Sequence, residues 1–289
     1  ANAKVGGTTV PFELAGVGKQ AGATSLPPRL VMRPRHEPLT PGMARRLTPG
    51  RFVLTRDRDG VAAALAAALG ARGAEVVIVE PDVLSSEPAL LAFCESLGAA
   101  AVAGLVHLAA LGATALDGRE PPSQWREALQ LNEKCFFVLL RELSDRLADS
   151  AHAVAASGLG GLFGREGSAS AGLLLQAGAV GAVKSLREER PELRVKAVDL
   201  DPRRSAAERA ADLLSEIELD GGRQEVGYPG GERTVFVTVA EDLAVVFRHN
   251  GIAVTTVSRE RCCAMPRLEL GDLDGVDAAR RTNIPALAA

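Results

Sequence analysis

The run Phe52-Val53-Leu54-Thr55, the turn Arg56-Asp57-Arg58-Asp59-Gly60 and the apolar stretch from Val61 to Ala71 decide how this chain is read. A short apolar run bounded by a charged turn reads as a buried strand, and the longer stretch behind it as a helix. Gly73 stops that helix, and Glu75-Val-Val-Ile-Val79 forms a second strand. Strand, helix, strand within about thirty residues is a crossover unit, which pairs its strands in parallel.

The same alternation continues outward. A helix is expected from about Glu87 to Leu97, then a strand from Val102 to Leu108. Ser123 is placed to cap a long helix reaching Asp149, with Glu127 and Glu133 on its early turns. Ala151 to Ala156 reads as a fourth strand. A glycine-rich loop (Gly158, Gly160, Gly161, Gly164, Gly167) and a helix near Leu173 to Glu188 follow it. Arg194 to Leu200 is a fifth strand, Ala206 to Leu219 a helix, and Glu225-Val226 with Thr234 to Thr238 close the series. The expected fold is α/β, a doubly wound parallel sheet of Rossmann-like type with helices on both faces. Residues 1–50 hold Gly, Pro and Thr clusters, and read as an irregular lead-in or linker with a short strand at Arg29 to Arg33. The domain proper then covers 51–240, and 243–289 is a short appended segment.

Composition narrows the class. The 289 residues are 47% hydrophobic, enough for a sizeable core. The 33 Lys and Arg are interspersed with 36 Asp and Glu, so no basic face points to nucleic acid or to a membrane. No long apolar span and no leader pattern is visible, and the cysteines form no disulfide framework, so a soluble cytoplasmic protein is expected. Cys94 and Cys135 sit in apolar helical contexts and read as buried thiols.

Several segments together resemble the short-chain dehydrogenases/reductases, more narrowly the ketoreductase regions of polyketide and polyunsaturated fatty acid synthases. They are Gly104-Leu-Val-His-Leu-Ala-Ala110, Gly160-Gly-Leu-Phe-Gly164, Leu175 to Leu186, Arg194 to Asp201 and Glu225-Val-Gly-Tyr228. The resemblance covers roughly 50–240. It implies a dinucleotide cofactor, NADP, held by a glycine-rich loop at a helix N-terminus. Here that loop reads Thr55 to Ala62, and only Gly60 matches. Asp57 and Asp59 set negative charge beside the expected phosphate, with Arg56 and Arg58 as the compensating cations. Glu80 and Asp82 stand where an acid would contact the ribose; the plainer reading makes them polar residues ending a strand.

Catalysis of that kind needs a tyrosine to give its proton to a ketone, a serine at the oxyanion and a lysine beside the tyrosine. The resemblance places Gly172 at the tyrosine position and Gln176 four residues later. The chain's one tyrosine, Tyr228, lies far beyond. Ser157 is the vestigial serine and Lys134 the candidate lysine, each with a plain structural alternative. The resemblance therefore implies the structural half of such a ketoreductase region, non-catalytic and without cofactor. Its partner would be a catalytic half or a second copy of itself. The alternative is an NADP(H)-dependent 3-oxoacyl reductase with an unorthodox site.

From about 243 the chain resembles another family. Val245 to Ile252, Glu260-Arg-Cys-Cys-Ala-Met-Pro266 and Asn283-Ile-Pro285 are similar to the cysteine-rich domain of iron–sulfur oxidoreductases. Cys262 and Cys263 are the candidate metal ligands, but the adjacent pair lacks the further thiolates a cluster needs, so no iron–sulfur cluster is expected within one chain. A subunit fragment of such an oxidoreductase is the third reading.

Overall fold

The computed structural model describes residues 33–40, 47, 50–113, 116, 117, 119–165, 175–219, 222–237, 277 and 281, and the backbone of 2–5 and 8–11. In the N-terminal unit, residues 1–31, strands β1 (Asn2–Val5) and β2 (Thr8–Pro11) pair antiparallel.

The second unit is built on an eight-stranded sheet. Its strands are β3 (Arg33–His36), β4 (Arg51–Thr55), β5 (Glu75–Val79), β6 (Val102–His107), β7 (Leu147–Ser157), β8 (Arg194–Leu200), β9 (Glu225–Tyr228) and β10 (Thr234–Val237). Across the sheet they run β3-β10-β9-β8-β7-β6-β4-β5. The six strands from β5 to β9 are parallel, and β10 and β3 add an antiparallel edge. The expected doubly wound sheet is present, but it is mixed rather than wholly parallel.

Side-chain alternation along the strands divides the core between the two faces. Phe52 and Leu54 pack with Leu65 and Leu69 of α1 (Val61–Gly70) and with Leu213 and Ile217 of α7 (Ala206–Glu218). Val53, one residue out of phase, belongs to the other face. There it joins Leu90 and Cys94 of α3 (Glu87–Ser96), Phe136 and Leu139 of α5 (Cys135–Leu143) and Val183 of α6 (Ala177–Glu189). Cys94 and Cys135 are buried free thiols, and burial pushes the Cys135 thiol up to about 12.

Three expectations are corrected. The lead-in is not irregular throughout: besides β1 and β2, Arg33–His36 pairs with Val237–Thr234 at the sheet edge. The strand expected at 29–33 falls outside the described residues except for Arg33. The long helix from Ser123 is broken. It starts at Pro122, where a missing N–H costs nothing. It then runs as α4 (Pro122–Leu129), a π-turn at Gln130–Lys134, α5 and a 3-10 turn at Ser144–Arg146. Strand β7 accordingly begins at Leu147, and its early part bulges: the pairing with β6 jumps from Leu147 to His152, and Ser150 takes a left-handed φ of 65°. A short helix not foreseen, α2 (Pro81–Leu84), follows β5.

Of the helix expected from 173 to 188, the described part runs from Ala177 to Glu189. Gly172, Cys262 and Cys263 lie outside the described residues; in the tail only Asp277 and Arg281 are described, joined by an ion pair at i,i+4.

Candidate functional site

Strand β4 is flanked by β5 on one side and β6 on the other, so chain connections leave it in opposite directions. In open α/β sheets ligands bind at the carboxyl ends of such strands. Thr55 ends β4, and His107 ends β6.

The Thr55 hydroxyl closes the gap between them. Its Oγ1 accepts the N–H groups of Leu108 at 2.7 Å and Ala109 at 2.9 Å, and lies 3.2 Å from His107 Nδ1. His107 Nε2 is 3.0 Å from the main-chain carbonyl of Asn132, in the π-turn. A carbonyl only accepts, so Nε2 carries the proton and Nδ1 accepts from Thr55. The ring stacks on Phe136 with centroids 4.8 Å apart. Burial away from water holds its pKa down at about 4. Sequence reasoning passed over both His107 and Asn132; the break in helical hydrogen bonding that points the Asn132 carbonyl at the ring has no sequence signature.

The turn after β4 resolves the question of its two acids. Asp57 does not face outward beside a phosphate. Its carboxylate is buried and turned onto the start of α1, accepting from Asp59 N at 2.9 Å, Val61 N at 3.0 Å and Ala62 N at 2.7 Å. Free N–H groups at a helix start are the donors that bind a pyrophosphate in a dinucleotide fold. Here a side chain of the same chain uses them. Asp59 is drawn to α7 by Arg209 Nη1 at 2.8 Å. Gly112, with a φ of 72°, lets the loop after β6 lie against Asp59; a Cβ there would strike its carboxylate.

Arg56 and Glu80 bind each other, at 2.5 and 2.9 Å, across the ends of β4 and β5. The Glu80 side chain is thereby committed, and its carboxyl is held below the usual range by Arg56. Gly60 adopts φ 86° at the start of α1, the conformation the turn needs. Arg58 lines a cavity of about 350 Å³ with Leu116, Gln124, Glu127, Leu131 and Asn132. The residues at the switch point therefore do not fit an NADP pyrophosphate: its donors are taken by Asp57 and its ribose acid by Arg56.

Ser157, at the carboxyl end of β7, is fully buried and more than a turn residue. Its Oγ donates to Asp199 Oδ1 at 2.6 Å. Asp199 also accepts Leu159 N at 2.7 Å and Phe163 N at 2.8 Å, so the glycine-rich loop is gathered onto one carboxylate. Gln176 Oε1 accepts Gly158 N at 2.7 Å from the other side. Lys134 is exposed on the π-turn, while its neighbour Glu133 accepts the N–H of Gly178 at the start of α6. The acid, read from the sequence only as a charge on an early helical turn, is the group that reaches α6. Tyr228 is buried on the α7 side, its hydroxyl donating to Glu216 at 2.7 Å. Burial and the Glu216 carboxylate both raise its pKa far above the ordinary value.

Among the described residues no group of three or more His, Cys, Asp or Glu is placed to hold a metal, and no helix is long and apolar enough to cross a membrane.

No protein-family model matches the chain, and no curated protein does. Solved structures share its fold. One is a small-chain dehydrogenase, 19% identical, with a TM-score of 0.50 over 59% of this chain and 91% of that one. Another is a small-chain dehydrogenase in complex with NADPH, 15% identical, with a TM-score of 0.53 over 62% and 95%. A third is a multidomain structure of a keto acid-selecting NRPS module with adenylation, ketoreductase and pseudo-Asub parts. It is 16% identical, with a TM-score of 0.58 over 72% of this chain and 18% of that one. The fold is thus that of the short-chain dehydrogenases/reductases.

Proposed function

We propose that residues 51–240 form a structural, non-catalytic ketoreductase-like domain of a polyketide or fatty acid synthase system. The observation that carries this reading is the Asp57 carboxylate seated on the first N–H groups of α1. A nucleotide phosphate would have to displace a carboxylate that is covalently tethered and already desolvated. It would also enter beside a like charge, which opposes binding by several kcal/mol at short range. The engaged states of Ser157 and Tyr228 support the same reading, since each is spent on the fold.

A domain of this kind works by docking. The groove between α5 and α6, about 430 Å³, is lined by Phe137, Leu140, Ala182 and Leu186, and Phe137 is 59% exposed. This face would take the catalytic ketoreductase half or a second copy of the chain. The ketoreductase-bearing module of similar fold favours such a setting over that of a free-standing dehydrogenase.

Titration of the purified chain with NADPH and NADH by calorimetry tests the proposal. No saturation at millimolar cofactor is expected. Saturable micromolar binding would overturn it in favour of an NADP(H)-dependent 3-oxoacyl reductase.

A further inference from the structure

A second cavity, of about 220 Å³, lies at the other end of the strands, near the start of β8, the end of α6 and the segment entering β9. Its charged lining is Arg187, Arg194, Lys196, Arg223 and Glu192. Three of these charges are neutralised locally. Lys196 binds Glu216 at 2.5 Å, Arg223 binds Glu37 at 2.9 Å, and Arg190 holds Glu192. Arg187 and Arg194 make no ion pair with a described residue. The Arg194 side chain meets a ring nitrogen, His152 Nε2, at 3.5 Å, and its buried Nε has no hydrogen-bond partner among the described residues. The cavity therefore keeps the charge of two guanidinium groups without carboxylates to match.

The backbone supplies a separate observation. Ser150 lines this cavity with its φ of 65°, one of two described non-glycine residues in the left-handed region. Such a conformation costs free energy and persists where the surroundings impose it, often at ligand sites. Here it brings a hydroxyl-bearing residue at the β7 bulge to the cavity wall, facing the two arginines' end of β8.

We propose that this cavity binds a small phosphomonoester, held by Arg187 and Arg194 with Ser150 as a further polar contact. The guanidinium fork matches phosphate oxygens two at a time, and two such groups balance a dianion where a carboxylate would leave one cation unmatched. The site is remote from the switch point and stands whether or not the domain is catalytic.

Calorimetric titration with inorganic phosphate at low ionic strength, with acetate in parallel, tests it. Saturable binding of one phosphate per chain is expected, with acetate binding more weakly. Arg187→Ala should weaken phosphate binding about tenfold or more. Arg187 is exposed on a helix, so the variant keeps its circular dichroism spectrum. Arg58→Ala should bind phosphate as the parent does. Absence of saturation, binding indifferent to R187A, or acetate binding equal to phosphate would overturn the assignment. So would loss of binding in R58A, which would move the anion to the switch point.

Discussion

Ser157 Oγ and Asp199 Oδ1 stand 2.6 Å apart, at the adjacent carboxyl ends of β7 and β8, and the loop from 158 to 163 is hung on that contact. Burial raises the Asp199 carboxyl above its usual range, while Ser157, Leu159, Phe163 and Gly161 oppose that shift by donating to the charged form. A serine at a strand end thus anchors a loop.

Ser157→Ala removes one of these donors from a buried carboxylate. A loss of about 1–3 kcal/mol in unfolding free energy is expected, read from the urea midpoint. An unchanged midpoint would mean that the backbone donors hold the loop unaided.

Gly227 in β9 faces the same loop. A Cβ there would collide with the carbonyl oxygen of Gly161, whose own φ of 86° leaves little freedom to retreat. Gly227→Ala should cost about 1–3 kcal/mol or more, because the obstacle is main chain and not a side chain that can rotate away. Thermal unfolding of the variant checks this, and a melting temperature equal to the parent's would contradict the packing described.

His107 makes stability depend on pH. Its folded pKa of about 4 lies below the ordinary 6.5, so between those values the unfolded chain binds a proton that the folded chain refuses. Its contribution is complete above pH 6.5 and falls away as pH drops toward 4, by roughly 3 kcal/mol in all. Urea unfolding of the parent and of His107→Gln across this range should show a flatter slope in the variant. Parallel slopes would remove His107 as the cause.

Glu37 acts lower on the scale and in the same direction, its contribution also falling as pH drops. Arg223 first, then Arg35, hold its carboxyl at about 2, below the ordinary 4.5. The stabilisation is present above pH 4.5 and is lost as pH falls through about 2. Glu37→Gln should therefore destabilise by about 1–2 kcal/mol at neutral pH, allowing for a site partly open to solvent. The gap between variant and parent should close by pH 2; a constant gap would point to lost packing instead.

Much of the α/β alternation was legible because each element carried its own signal. Phe52 to Thr55 is a run of strand length with three large apolar residues, and Gly73, in a left-handed conformation, follows the helix before the next strand. The edge strand Arg33-Pro34-Arg35-His36 carried none. It has no apolar residue to bury apart from Pro34, and it is extended because Thr234–Val237 supplies a partner and Glu37 binds Arg223 beside it. The long helix from 122 failed as a reading for a related reason. Gln130–Lys134 holds no Gly or Pro to mark a break, while the π-turn there accompanies a carbonyl bonded to His107, a partner from strand β6.

The sequence by itself determined the order of strands and helices, the glycine-poor turn after β4 and the absence of a tyrosine at the position the resemblance marks. Those are properties of local residue order. Only the tertiary structure decided the fate of the polar groups. Asp57 turns inward because unpaired helix-start N–H groups lie within its reach. Arg56 finds Glu80, and Ser157 finds Asp199, because parallel strands bring distant strand ends side by side. A buried polar group must find a partner or be costly to bury, and which partner is near is set by the sheet.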